Sequence, residues 1–600
     1  VYNPDLFDRS RVQGWLDDLV GLVQECLDRG ADLPIRGSGQ ALPTAAEESG
    51  PVHPAAPPRR EWTPTELALS AIWRDLLRCE RFELTDNFFQ LGGYSLLATR
   101  LVAVIRDRLG VVVPVWKLFE LPTLVELAGF IDDVTPSEAS ARSAARSAAR
   151  SADWPPRAEP SALVPAQQKL WQLHAAERDG HHYNVPRAVR MLGELRPAEL
   201  QRAVDAVVQR HPALRTLYDD SGATVIPRVL PAGEVPVRLL ELGPELPDEM
   251  AGIEREMTHR FDLRSEIPLR VAVLRLGPAE HVLIVTTHHI AADCWSMGLP
   301  FQTLLDDDDP WHYGVFFRDL MAFYDEFTGH DKASDPHAAE EEHSRFEDIF
   351  ATLQVAQGLQ DWPKALGFWR NYLHGASQSI TLPTDADQPC GQFLSGRRTE
   401  FSIGRDSHSR LRQFSRENRT TDFVTLFTAF ARAIRQWAGA DDFLVGVPVS
   451  NRGTQAAENL IGHIGNTVVL RARLEEPETP AQLARRLHRE IHAALAYQYY
   501  PFDELVKELG QEQAGGRSPL FQVRFVFQNM PEAPGRTTGL TLRPVQFDRG
   551  VSKYDLSLVI ATQGAKLRGW CEYKTPLFAP ATIDAFIRRF LVELEQMLGS

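Results

Sequence analysis

The sequence predicts a small all-α bundle followed by a larger, two-lobed α/β domain. Short amphipathic helical patterns fill residues 61–134, whereas from residue 161 helical stretches alternate with β-rich runs. Two stretches with no apolar periodicity, 36–60 and 135–160, set these regions apart. The later region, 161–600, exceeds the roughly 250–300 residues over which one core keeps growing, which predicts two lobes, 161–335 and 336–600.

Taken in order, residues 1–35 carry an echo of the chain's other end. Tyr2-Asn3-Pro4-Asp5-Leu6-Phe7, followed by Val12, Trp15, Leu16 and Leu19, matches Tyr573-Lys574-Thr575-Pro576-Leu577-Phe578, followed by Ile583, Phe586, Ile587 and Phe590. Residues 1–35 therefore read as the tail of a second copy of whatever ends near residue 600. A chance amphipathic helix is the alternative. Residues 36–60 are rich in Gly, Pro, Ala and Ser and read as a linker.

The bundle that follows begins with a helix from Pro64 to Leu77, with Leu67, Ile72 and Leu76 among its apolar positions. A second helical run, Ser95 to Leu109, places Leu97, Leu101, Val104 and Ile105 on one face, and a third follows Pro122, from Leu124 to Ile131. Residues 135–160 hold a Ser-Ala-Arg-rich repeat and Trp154-Pro155-Pro156, a composition that builds no core and reads as a second linker. Beyond it, Glu199–Arg210 reads as a helix, and Leu269–Leu276, His281–Thr287, Phe443–Val449 and Phe521–Phe527 read as strands.

Composition narrows the function. The formal net charge of −16 argues against nonspecific nucleic-acid binding, which needs a dominant basic surface. The five cysteines, Cys26, Cys79, Cys294, Cys390 and Cys571, are odd in number and widely spaced, so neither a disulfide framework nor a structural zinc site is expected. No basic-then-apolar leader and no apolar run near 18 residues occurs, so we expect a cytoplasmic protein with no membrane span and no metal.

Two motifs carry chemistry. The first is Asp86-Asn87-Phe88-Phe89-Gln90-Leu91-Gly92-Gly93-Tyr94-Ser95-Leu96-Leu97. The two glycines permit a tight approach, and Ser95 falls at the start of an apolar-periodic helix. Alone, such a serine is usually a helix N-cap. The whole string resembles the attachment motif of peptidyl and acyl carrier proteins, and the flanking helices resemble that family over 61–134. The resemblance implies a four-helix carrier bundle in which Ser95 bears a covalent 4′-phosphopantetheine arm added by a phosphopantetheinyl transferase. A phosphodiester there would face the positive end of a helix dipole. Tyr94 departs from the family's usual His or Asp, which bears on partner choice rather than attachment.

The second motif, His288-His289-Ile290-Ala291-Ala292-Asp293, follows an apolar strand. Adjacent residues at a strand end point to opposite faces, so His288 and His289 should not converge on one metal ion. That leaves a buried structural pair or acid/base chemistry with one histidine facing a cleft. The blocks around it, in chain order, are Pro165-Ala166-Gln167-Gln168-Lys169-Leu170-Trp171, Tyr183-Asn184-Val185-Pro186, Arg210-His211-Pro212-Ala213-Leu214-Arg215-Thr216, Val445 to Arg452, Ile461-Gly462-His463-Ile464-Gly465-Asn466-Thr467, Pro501 to Leu505 and Pro519 to Val523. Over 161–600 the order resembles condensation domains of nonribosomal peptide synthetases, which are similar to chloramphenicol acetyltransferase in fold.

This resemblance implies amide formation: an acceptor aminoacyl thioester's amine attacks a donor acyl or peptidyl thioester. His289 is implied to face the tunnel as base or positioner, His288 to support the loop, and Asp293 to pair with an arginine of the Arg210/Arg215 motif. Arg210, Arg215 and Asn466 are supporting residues. The implied partners are adjacent synthetase domains and a downstream acceptor carrier. The Tyr183 block resembles domains that take an L-configured donor residue, and the carrier-then-condensation order is similar to that in siderophore synthetases. No adenylation domain lies between residues 30 and 61, where a standard module would carry one.

Two departures stand out. Cys294 replaces the family's glycine, which would perturb the loop if the backbone there needs positive φ. Leu299–Gly314, with Asp306-Asp307-Asp308-Asp309 and Trp311, reads as an insertion, either a solvated loop or a lid or docking element; its acidic run lacks the spacing of a calcium loop. An epimerisation domain and a noncatalytic docking platform remain rival readings.

Overall fold

The computed structural model describes 62–133 except 78, 80–81, 89–90, 92–97, 99–100, 103, 106–107, 112, 114–116 and 119–120. It also describes 163–599 except 177–179, 221–224, 232, 234, 242–245, 247, 299–313, 330–361, 378, 387–393, 453–454, 476, 511–517, 529–538, 546 and 565. The terminal echo at 1–35, both linkers and Ser95 lie outside the described residues.

Fourteen α-helices are used below, in chain order: α1 Pro64–Leu77, α2 Leu124–Asp133, α3 Pro165–Ala176, α4 Pro197–Arg210, α5 Glu249–Met257, α6 Cys294–Met297, α7 Val315–Thr328, α8 Trp362–Tyr372, α9 Arg405–Glu417, α10 Asp422–Ala438, α11 Gln455–Glu458, α12 Pro480–Leu495, α13 Phe502–Glu508 and α14 Pro580–Leu598. The strands are β1 Asn184–Leu192, β2 Thr216–Asp219, β3 Ile226–Val229, β4 Val237–Glu241, β5 Leu269–Gly277, β6 Glu280–His288, β7 Gly396–Ile403, β8 Asp442–Val449, β9 Asn466–Arg473, β10 Val523–Gln528, β11 Thr541–Pro544, β12 Leu556–Gln563 and β13 Lys566–Lys574.

In the first region, α1 and α2 each start from a reciprocal cap. Thr63 N–H donates to the Glu66 carboxylate at 2.8 Å while Glu66 N–H donates to Thr63 Oγ1 at 3.2 Å, and Thr123 and Glu126 repeat the arrangement. Helical backbone recurs at Ala98, Leu101, Val102, Val104, Ile105, Arg108 and Leu109, along the second predicted run. The core gathers Leu69, Ile72, Trp73, Phe88, Leu101, Ile105, Leu124, Leu127 and Ile131, with Trp73 edge-on to Phe88 at 5.3 Å between centroids. Leu67, expected on the apolar face, is 55% exposed, because Leu69, Ile72 and Trp73 define the buried stripe of α1.

Among the described residues, the second region holds two large sheets and a two-stranded antiparallel ribbon, β2-β3. One runs β11-β1-β6-β5-β4, the other β7-β13-β12-β10-β8-β9. In the first, β6 pairs antiparallel with β1 and β5; in the second, β10 pairs parallel with β8 and β12. Strands β6 and β12 are buried almost throughout, which explains their continuous apolar sequences. Two large cores follow. One packs α4 and α7 on β1, β5 and β6; the other packs α10, α12 and α14 with β8, β9, β10 and β12. The edge strand β11 belongs to the first sheet although its residues come late in the chain, and Leu540, Leu542 and Ile461 join the first core. Long-range crossing of this kind leaves no periodic trace in a local window of sequence.

Among the described residues, no helix is long and apolar enough to cross a membrane.

Candidate active site

Strand β6 carries the site to its position. Its last residue is His288, and the chain turns at His289. The turn is clamped by backbone: His289 N–H donates to Tyr183 O at 2.8 Å, and Ala291 N–H to His288 O at 3.0 Å. Gln167 of α3 adds its amide Nε2 to Ile290 O at 3.2 Å, so the Pro165–Trp171 block braces the histidine loop.

The two histidines diverge, as their placement at a strand end requires. His288 is fully buried, accepts the Ile290 N–H at Nδ1 over 3.2 Å, and packs edge-on to His174 and Phe261. His289 points elsewhere, edge-on to His463 with ring centroids 4.7 Å apart. Its Nδ1 lies 2.9 Å from Ala292 O. A carbonyl can only accept, so Nδ1 carries the proton and Nε2 presents a lone pair. His289 is half-buried, deep among protein atoms yet with some surface open. Burial, with His463 and Lys553 nearby, holds it well below the usual histidine range. His463 is likewise pushed down to about 4, chiefly by burial. Both rings are therefore neutral at neutral pH.

Asp293 is a scaffold residue. Its carboxylate caps α6, accepting Ser296 N–H at 2.9 Å and Ser296 Oγ–H at 2.7 Å, and takes Ile464 N–H and Gly465 N–H, each at 3.3 Å. Its ionic partner is Arg452, whose Nη2 lies 3.0 Å from both carboxylate oxygens. Burial works against the charge, but Arg452 and the Ser296 donors outweigh it and hold the carboxyl below its ordinary range. Arg452 is itself buried and donates from Nη1 to Ala457 O and Leu460 O, both at 2.5 Å. Asn451 before it sits at φ 54°, a left-handed conformation that Asn tolerates.

The expectation that Asp293 pairs with the Arg210/Arg215 motif is thus corrected. Arg210 reaches Asp319 of α7 at 3.4 Å, beside His211 Nε2 at 2.8 Å from the same carboxylate. Arg215 donates to Leu230 O, bracing the β2–β3 hairpin. Arg210 thus ties α4 to α7 through Asp319, whereas Arg215 is bonded to a backbone carbonyl at the end of the hairpin. Asn466 donates from Nδ2 to Gln498 O at 2.7 Å and Tyr500 O at 2.8 Å, and accepts Phe502 N–H at 3.1 Å. It joins β9 to the start of α13 and does not reach the histidine loop through any of these bonds.

Cys294 is the first residue of α6 and is absent from the positive-φ residues, so the substitution causes no backbone strain. The insertion's ends abut. A Cβ built on Gly314 would lie 2.0 Å from Gly298 N, and Gly298 turns at φ 75°. The described residues that flank 299–313, Gly298 and Gly314, are therefore in contact; 299–313 themselves lie outside the described residues.

Three residues of the site had no assigned role from sequence. Arg452 and His463 lay within recognised blocks, but nothing local said what they touch. Lys553 lay in no block at all. Its Nζ sits 4.2 Å from the centroid of the Tyr183 ring, whose backbone carbonyl holds His289.

This site has known relatives. The sequence matches the Condensation domain family over residues 158–306 and 308–600. The chain belongs to the condensation-domain family. A second match, to the phosphopantetheine attachment site family, covers 68–131 and contains Ser95. The break at residue 307 falls within the insertion.

The chain is 31% identical to the probable non-canonical nonribosomal peptide synthetase CymA of Salinispora arenicola over 94% of its own length and 7% of that protein's. It is also 31% identical to the dimodular nonribosomal peptide synthase of Bacillus subtilis over 94% of its length and 23% of that protein's. It thus spans a small part of the relatives it matches. In fold it is similar to the X-domain of teicoplanin biosynthesis in complex with OxyB, with a TM-score of 0.63 at 23% identity, over 74% of this chain and 94% of that one. It is also similar to the first condensation domain of the CDA synthetase, with a TM-score of 0.58 at 19% identity, over 73% of this chain and 95% of that one. The chain thus carries a phosphopantetheine attachment domain followed by a condensation domain, each similar to parts of nonribosomal peptide synthetases, and the carrier's cofactor is 4′-phosphopantetheine.

Proposed function

We propose that residues 61–134 hold a donor acyl or peptidyl thioester on Ser95, and that 161–600 join it to an acceptor's amine as an amide. The observation that carries this reading is the state of His289: neutral, oriented through Nδ1, with Nε2 unpartnered among the described residues and its ring not fully buried.

When attached to Ser95, the arm supplies an activated thioester on a long tether. The protein's share is placement and proton handling. Holding amine and thioester in register can contribute roughly 7–11 kcal/mol. The amine nitrogen attacks the thioester carbonyl, the C–N bond forms and the C–S bond breaks. His289 Nε2 accepts the proton from that nitrogen and returns it to the departing sulfur. His288 and Asp293 act on the loop, not on the reactants.

The partners of this reading are a phosphopantetheinyl transferase that modifies Ser95 and a downstream acceptor carrier, in the cytoplasm. Residues 36–60 and 135–160 serve as linkers, and 1–35 as the tail of a preceding condensation domain.

The test is direct. With a phosphopantetheinyl transferase, intact mass should rise by one arm, and Ser95→Ala should abolish the rise. With Ser95 loaded and an aminoacyl acceptor carrier supplied, the product should be a lengthened chain on the acceptor. Tight acceptor docking without product would favour the noncatalytic platform instead.

A further inference from the structure

The clamp that orients His289 also frames a second imidazole. The ring centroids of His289 and His463 lie 4.7 Å apart, edge to face, so the two rings touch. One comes from the turn between β6 and α6, the other from the segment leading into β9. Backbone on both sides of His463 is pinned to that turn. Gly462 N–H donates to Ser296 Oγ at 3.1 Å, and Ile464 N–H and Gly465 N–H donate to Asp293 Oδ2, each at 3.3 Å. The geometry of the pair is therefore fixed before any substrate arrives.

The two rings differ in where they hold their proton. His289 spends Nδ1–H on Ala292 O, which leaves a lone pair on Nε2. In His463 it is Nδ1 that is buried, and it has no hydrogen-bond partner. The nearby Asp293 carboxylate is already taken by Arg452, Ser296, Ile464 and Gly465. A buried N–H without an acceptor is rare and costly. The neutral ring therefore carries its proton on Nε2 and leaves Nδ1 as a bare lone pair. Burial keeps this ring neutral, pushing its pKa down to about 4. Nε2 of His463, like that of His289, bonds to none of the described residues and is not among the buried, unpartnered atoms. Two touching imidazoles thus offer opposite functions at open nitrogens, an acceptor on His289 and a donor on His463.

Attack of an amine on a thioester calls for both functions side by side. As nitrogen bonds to the carbonyl carbon, the C=O π electrons move onto oxygen. Nitrogen and oxygen then share one carbon, so the proton acceptor and the oxyanion's donor must be neighbours. A neutral imidazole N–H serves as such a donor when its ring resists protonation, and loss of one preorganised donor costs roughly 10²–10³ in rate. We propose that His463 is a catalytic residue, donating from Nε2–H to the oxyanion formed on the donor's carbonyl while His289 Nε2 takes the attacking nitrogen's proton. The oxyanion then collapses, the C=O bond reforms and the C–S bond breaks. His289 passes its proton to the departing sulfur, and His463 keeps its own throughout. This rests on the condensation reading above.

The experiment measures single-turnover amide formation by the full chain, loaded at Ser95 with an acyl thioester or the matching dithioester, against a saturating glycyl acceptor carrier. Sulfur accepts hydrogen bonds weakly, so the dithioester forfeits the oxyanion contact but keeps the same leaving group. Aminolysis of both donors by glycinamide in buffer supplies their intrinsic ratio. Wild type should prefer the thioester roughly tenfold or more beyond that ratio. His463→Phe keeps an aromatic ring against His289 but has no donor. It should slow thioester transfer by roughly 10²–10³ and leave dithioester transfer nearly unchanged, with the half-saturating acceptor concentration unaltered. His463→Gln, which restores an N–H near the place of Nε2, should regain roughly tenfold over His463→Phe. A wild-type preference no greater than the intrinsic ratio overturns the proposal, whether or not the variants fold. So does an equal loss for both donors in His463→Phe, the mark of a packing role, or thioester transfer by that variant at the wild-type rate. Amide from neither donor with wild type would sink the condensation reading, and this inference with it.

Discussion

A single nitrogen of Arg452, Nη2, lies 3.0 Å from both carboxylate oxygens of Asp293, across 159 residues of sequence. Ser296 Oγ bonds the same carboxylate and receives the Gly462 N–H at 3.1 Å. One carboxylate therefore fastens the turn carrying His289 to the segment carrying His463. Both charges are buried, so removing either leaves the other without compensation. Arg452→Met should destabilise the domain by about 3–5 kcal/mol in urea unfolding. The double variant Arg452→Met/Asp293→Leu should recover part of that loss. A single-variant cost under about 1 kcal/mol, the range of an exposed pair, would refute a structural role.

His288 and His289 should separate by what their loss does. His289→Ala should keep the fold and slow amide formation by roughly 10²–10⁴. His288→Ala removes a fully buried ring packed on His174 and Phe261, and should cost on the order of 2–4 kcal/mol of stability. Rates by intact mass, read beside urea midpoints for the same samples, distinguish the two. Wild-type rates from His289→Ala would remove that histidine from the chemistry.

Acid should destabilise the domain early. Burial holds His288, His289 and His492 well below the ordinary value of 6.5, and His463 and His488 down to about 4. In the unfolded chain these rings protonate near pH 6.5, whereas in the folded chain they stay neutral. Below 6.5 the unfolded state binds more protons, so stability is present above 6.5 and is lost as pH falls toward about 4. The urea midpoint should be lower at pH 5 than at pH 7.5. An unchanged midpoint would mean that these rings titrate normally in the fold.

The insertion should be dispensable for folding. Because Gly298 and Gly314 abut, replacing 299–313 by two glycines should close the chain without displacing α6 or α7. A shorter loop also costs slightly less closure entropy. The urea midpoint should match the parent or rise slightly. A large fall would show that the excised residues pack on the domain.

Much of this was legible in the sequence. The helices α1 and α2 and the strands β5, β6, β8 and β10 fall where periodicity and apolar runs place them, since those signals arise from local burial patterns. The divergence of His288 and His289 follows from the alternation of a strand. Membership in the condensation family follows from blocks spaced between Pro165 and Val523. What each block does was not legible. The partner of Asp293 proved to be Arg452 rather than Arg210 or Arg215, Asn466 serves α13, and Lys553 carried no local signal at all. Sequence by itself determined the order of the two matched regions, the elements and the turn that carries the paired histidines, because these depend on neighbours in the chain. Only the tertiary structure decided which charges meet, because a buried ion pair and a shared field depend on neighbours in space, brought together here by crossings longer than any sequence window.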